Sequence, residues 1–136
     1  MNEIRRDLSP AILLGKADHT KLNELAIAGL DRMPELADRL LGELDRARVV
    51  EDKKVPEDVA RMGSRVTYRT NDDKEVSVIL VYPADANIDE GKVSVMTPIG
   101  TALIGLRKGQ SITWRDRADR RHMLTVLDVE ASVSAE

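Results

Sequence analysis

Val93-Ser94-Val95-Met96-Thr97-Pro98-Ile99-Gly100-Thr101-Ala102-Leu103-Ile104-Gly105-Leu106-Arg107-Lys108-Gly109-Gln110 changes its hydrophobic period partway along, and the change separates a strand from a helix. Lys92 to Met96 reads as a strand. Thr97-Pro98 is a helix start. The hydroxyl can accept from a free N–H of the first turn, and the proline lacks an N–H where none is needed. Ile99, Ala102, Leu103 and Leu106 recur at i, i+3, i+4 and i+7, so an apolar helix is expected as far as Lys108. Gly109 stands just beyond its end, and Gln110 to Arg115 resumes as a strand.

On either side of this segment the pattern alternates. Arg65 to Thr70 and Glu75 to Tyr82 are expected strands joined by the turn Asn71-Asp72-Asp73-Lys74. Val76, Val78, Leu80 and Tyr82 share one face of the second, while Ile79 and Val81 on the other mark it as central or covered on both sides. Pro83 stops it, and a loop over 84–91 ends in Gly91. Downstream, a polar turn around Asp116 to Asp119 leads to a last strand, Arg121 to Glu130. Short antiparallel strands with one covering helix make residues 64–136 a domain of the α+β class.

Further upstream the period is helical. Asp18 or Thr20 can cap a helix whose stripe is Leu22, Leu25, Ala26 and Leu30. The chain bends at Asp31-Arg32-Met33-Pro34, and a second helix is expected from Pro34 to about Val49, with Leu36, Leu40 and Leu44 in one row. Residues 18–50 thus read as a short antiparallel helical hairpin. Gly29 and Gly42 either weaken these helices or let their backbones approach closely. Residues 1–17 form a leader whose run Ile12-Leu13-Leu14 suits an edge strand or an extended segment. Residues 51–63, charged and interrupted by Pro56, read as a linker with room for one helical turn over Glu57 to Met62.

With 136 residues the chain is long enough for one domain, or a small domain with an appendage. Apolar residues make up 42%, enough for a core, and the net charge of -3 gives no general pull toward DNA or an anionic membrane. There is no Cys, which removes disulfides, a thiol nucleophile and Cys-ligated zinc, and fits a reducing cytoplasm. The run Ala11 to Leu14 is shorter than the roughly 7–15 apolar residues of a secretory signal, and no segment approaches the ~20 needed to span a bilayer. A cytoplasmic protein is the expectation. The absence of Phe, with one Trp and two Tyr, implies an aliphatic core and counts against stacking platforms for single-stranded nucleic acid.

No catalytic motif emerges. His19 and His122 lack a second His at metal-ligand spacing and are expected as surface histidines. Gly100, Gly105 and Gly109 lack the Lys-Ser/Thr ending of a phosphate loop. Neither a metal nor a cofactor is expected. Asp31 and Glu35 at the bend invite a Mg²⁺ reading, but Arg32 lies between them and no third acid is near, which favours an ordinary solvated bend. Arg115, Arg117, Arg120 and Arg121 form the most basic run. Asp116 and Asp119 dilute it, favouring a solvated hairpin over a phosphate-binding patch.

The segment Val93 to Gln110 resembles the C-terminal domain of the bacterial Gre transcript-cleavage factors, in which a strand ends in Ser-Pro-Leu-Gly-x-Ala-Leu-Leu-Gly. Glu43-Leu44-Asp45-Arg46-Ala47, Met62-Gly63-Ser64-Arg65-Val66, Leu80-Val81-Tyr82-Pro83 and Ser94-Val95-Met96 are similar to the Rnk branch, the regulators of nucleoside diphosphate kinase. The resemblance spans about Asp18 to Glu130. It implies an FKBP-like C-terminal domain that docks on RNA polymerase at the rim of the secondary channel, with a stubby helical arm. Met96, Thr97, Pro98, Ile99 and Gly100 are the implied polymerase-binding residues, with Met96 making an apolar contact where Gre proteins carry Asp or Asn. Asp31 and Glu35 lack the spacing of a Gre acidic tip, so transcript cleavage is not implied. Prolyl isomerase activity would need an aromatic basket that this chain cannot supply. The reading is a non-catalytic regulator that competes with Gre-type factors and does not recognise DNA sequence. Two rivals stand beside it: an active cleavage factor, and direct binding to nucleoside diphosphate kinase. Self-association is left open.

Overall fold

The computed structural model describes residues 9–116 and 118–131. Helices α1 (Lys16–Ala28) and α2 (Pro34–Arg46) form the hairpin, framed by a parallel pair of short strands, β1 (Leu13–Gly15) and β2 (Arg48–Val50). The second part is a five-stranded sheet of β3 (Arg65–Thr70), β4 (Glu75–Val81), β5 (Lys92–Ser94), β6 (Ser111–Arg115) and β7 (Arg121–Glu130), in the order β5-β4-β3-β7-β6. Helix α3 (Pro98–Leu103) crosses from β5 toward β6. The α+β class is as the periodicity predicts. One detail differs: β5 runs parallel to β4, while the other ladders of this sheet are antiparallel. No helix among the described residues is long and apolar enough to cross a membrane.

Hairpin and sheet share one core. Leu22, Ala26, Ala37, Leu40 and Leu44 from the helices are buried in the same cluster as Val66, Leu80, Val95, Leu103, Leu124 and Val126. Each fully buried leucine contributes about 1.5–3 kcal/mol of transfer free energy. The hairpin is therefore laid along the sheet domain.

Several boundaries move, each because a distant segment supplies the partner. Helix α1 begins at Lys16, before both expected caps. Gly15 stands at its N-cap without a side chain to offer, and Asp52 accepts the Ala17 N–H at 3.0 Å instead. Asp18 turns away and accepts from the Met62 N–H at 3.3 Å. Helix α2 stops at Arg46 and not near Val49, because the Arg48 N–H donates to the Ile12 carbonyl at 2.9 Å and Arg48–Val50 pairs with the leader. Of the expected leader, Leu13–Gly15 is thus a built-in strand.

Residues 51–63, expected as a linker, are packed. Val55, Val59 and Ala60 are buried, and Ala60 exchanges backbone hydrogen bonds with Leu106 and Gly105 at 2.8 and 2.9 Å. The helical turn falls at Asp52–Lys54, not over Glu57 to Met62. Helix α3 ends at Leu103, well short of Lys108. Gly105 takes a positive φ of 80°, and a Cβ there would sit 2.8 Å from the Ile12 Cβ. Leu106, the last member of the expected stripe, is buried from beyond the helix, so its spacing only imitated a helical position. Gly42 does not bring the helices together, since a Cβ added there meets nothing within 4 Å.

Two glycines predict opposite outcomes. A Cβ at Gly100 would lie 2.2 Å from the Ser94 carbonyl oxygen and 2.8 Å from the Val95 Cα, both backbone atoms. Gly100→Ala is expected to lower stability by about 1–3 kcal/mol through overpacking. Gly42→Ala in the open face of α2 should raise it by about 0.5–1 kcal/mol. Urea unfolding monitored by circular dichroism measures both.

Candidate functional site

The loop between β5 and α3 ties its own polar groups into a knot. The Thr97 hydroxyl donates to the Ser94 carbonyl at 2.7 Å and accepts from the Gly100 N–H at 3.0 Å, which is the N-cap its sequence predicts. The Met96 N–H donates to the Ser94 hydroxyl at 2.9 Å, and the buried Thr101 hydroxyl donates to the Val95 carbonyl at 2.8 Å. Ser94 and Thr101 are buried, yet both are satisfied, as such groups must be. The knot leaves Thr97, Pro98 and Ile99 partly exposed at the surface.

Met96 and Gly100 go the other way. Met96 is only 4% exposed and joins the core, its methyl 3.1 Å from where a Gly29 Cβ would stand. The expected apolar contact from Met96 is therefore corrected: its side chain points inward and seats the end of α1. Gly100 is buried by its close approach to the β5 backbone.

An open cleft of about 620 Å³ lies beside Pro98, with the hairpin bend on one side (Arg32, Met33, Glu35) and Asp116 and Asp119 on the other. The Arg39 guanidinium crosses its base and donates to the Arg115 carbonyl at 2.7 Å, fastening α2 to β6. Glu35 lines this cleft; Asp31 is exposed in the bend outside it. Among the described residues no three acids or histidines gather in a way that could hold a metal ion.

The far wall is braced by a group that the sequence reading missed. Trp114 and His122 stack with centroids 4.5 Å apart and planes 17° from parallel. His122 Nε2 lies 2.9 Å from Asp116, whose carboxylate also accepts from the Ala118 and Arg120 N–H groups at 2.9 and 3.0 Å. The hydrogen bond to His122, followed by that from Arg120, holds the Asp116 carboxyl below the ordinary range. Nor is His19 an idle surface group: its Nε2 donates to the Leu44 carbonyl at 3.1 Å. The signal for the stack was present, since a hairpin turning at 116–120 pairs Trp114 with His122. In the basic run, Arg115 reaches the Asp119 carbonyl at 3.2 Å and Arg120 borders the small cleft at Pro98, Ile99 and Trp114, while Arg117 lies outside the described residues.

A sheet crossed by one short helix, with a helical hairpin laid on it, is a two-part architecture, and both parts have matches. The family described as transcription elongation factor GreA/GreB, C-terminal, matches residues 55–131, and Rnk N-terminus matches residues 10–50. The regulator of nucleoside diphosphate kinase of Escherichia coli (strain K12) is 40% identical over 126 residues, covering 89% of this chain and 90% of that relative. Transcription elongation factor GreA of Roseiflexus sp. (strain RS-1) is 34% identical over 88 residues, covering 64% of this chain and 55% of that factor. A solved prokaryotic transcription elongation factor GreA/GreB from Nitrosomonas europaea superposes with a TM-score of 0.68 at 30% identity, covering 90% of this chain and 99% of that one. The fold is that of the GreA/GreB class of transcription factors. Within that class, the chain belongs to the Rnk family.

The Asp116 brace makes a pH prediction. A carboxyl held low in the folded state contributes stability that is present at neutral pH and lost as pH falls through its folded value. The urea midpoint of the wild type should therefore drop below about pH 5 more steeply than that of Asp116→Asn, which has no such carboxyl to protonate. Equal slopes for the two proteins would count against the brace.

Proposed function

We propose that this protein is a non-catalytic regulator that binds RNA polymerase near the secondary channel, through Thr97, Pro98 and Ile99, and competes there with Gre-type factors. The observation that carries the reading is the state of the arm. Each hairpin helix has 13 residues, so at ~1.5 Å per residue the arm spans only about 20 Å. Its bend rests beside Met96 and Pro98 and does not project from the domain. An arm so short and so placed cannot carry acids through a channel to a distant active centre. Asp31 and Glu35, at that bend, then serve as surface charges.

Halted elongation complexes test the non-catalytic part directly. Incubated with the protein and Mg²⁺, they should release no short 3′-terminal RNA, and the protein should slow the cleavage stimulated by an added GreA. Release of such fragments by the protein alone would establish it as an active cleavage factor. Binding to core RNA polymerase should weaken roughly tenfold in Pro98→Ala, the loss of an interface residue in a central position. Capture of nucleoside diphosphate kinase without polymerase would instead favour direct action on the kinase, which the name of the Escherichia coli relative suggests.

A further inference from the structure

Six large apolar side chains are conspicuously exposed among the described residues, and three of them fall close together in the sequence: Ile27 at 56%, Leu30 at 41% and Met33 at 39%. They follow one another at three-residue spacing through the last turn of α1 and the bend, ending at the cleft beside Pro98. Clustered apolar surface on a small protein marks an interaction site more often than scattered exposure does. The charges beside it are also uncommitted. Arg32 and Glu35 make no ion pair among the described residues, while Asp116 and Asp119 across the cleft are engaged by His122 and Arg115.

We propose that the docking face is composite: the hairpin bend, through Met33, Arg32 and Glu35, joins Pro98 in a single surface for RNA polymerase. This rests on the polymerase reading above and extends it from one loop to two segments. The partner surface that fits presents an apolar side chain to Met33 and Pro98, with an acid opposite Arg32 and a base opposite Glu35. Two internal contacts keep the segments in register. Met96 fills the space under Gly29, and Arg39 fastens α2 to the Arg115 carbonyl. Met96 is thus a positioning residue, acting from inside on a surface it does not reach.

The chain has no Cys, so a single cysteine carries a photocrosslinker to one place. With core RNA polymerase, label at Met33→Cys should crosslink efficiently. Label at Ile88→Cys, a residue 89% exposed in the loop before β5, should not. Equilibrium binding of Met33→Ser and of Arg32→Glu combined with Glu35→Lys should each be weaker by about tenfold, with Ile88→Ser unchanged. These positions are exposed, so circular dichroism should show intact folding. Weakened binding by Pro98→Ala alone, with the bend variants at wild-type affinity and no crosslink from position 33, would overturn the composite face and leave the polymerase reading standing. Failure of the wild type to bind polymerase would remove both. A crosslink from position 33 to a second copy of the chain, with or without polymerase, would show that the bend is a self-association surface instead.

Discussion

The burial of one stripe of the helical hairpin against the sheet domain governs the rest of the molecule. Helices of 13 residues sit at the length where isolated helices are marginal in water, roughly 12–15 residues. Their stability has to come from the seam. Leu22, Leu40 and Leu44, with Ala26 and Ala37 between them, supply it by entering the core that Leu80, Val95 and Leu103 provide from the other side. An arm held in this way is fastened to the domain and not free to swing. Its reach, its orientation and the position of its bend are all consequences of that burial.

The seam also explains why unremarkable pieces of chain matter. The leader supplies Ile12 and Leu14 to the core and pairs with Arg48–Val50, so it closes the base of the hairpin. The charged stretch after it contributes Asp52 as a cap for α1 and Ala60 as a backbone partner for Leu106. At the opposite end, Met96 and Arg39 fasten the bend beside Pro98. Apolar filling and a charge-assisted hydrogen bond work together there. A methionine suits this role because its flexible side chain fills irregular space under a residue that has no Cβ.

Membership in the Rnk family fits this economy. A GreA relative matches over only 55% of its own length, whereas the Escherichia coli regulator matches over 90% of its own. The GreA/GreB C-terminal family accounts for residues 55–131, and the Rnk N-terminal family for residues 10–50.

Local chemistry made much of this visible without coordinates. Alternation along Arg65–Thr70 and Arg121–Glu130 located those strands to the residue, and Thr97 with Pro98 announced a helix start, because periodicity and capping act over a few neighbouring residues. The hairpin register that stacks Trp114 on His122 was likewise within reach of the turn at 116–120. The inward turn of Met96, the packed course of 51–63, the cap that Asp52 lends to Ala17 and the early end of α3 at Leu103, before Gly105, were not. Each depends on a partner dozens of residues away, and no local pattern records which distant segment will arrive. Sequence alone determined which elements form and which faces are apolar. The tertiary structure decided which of those faces meet, and so which residues around Pro98 remain exposed.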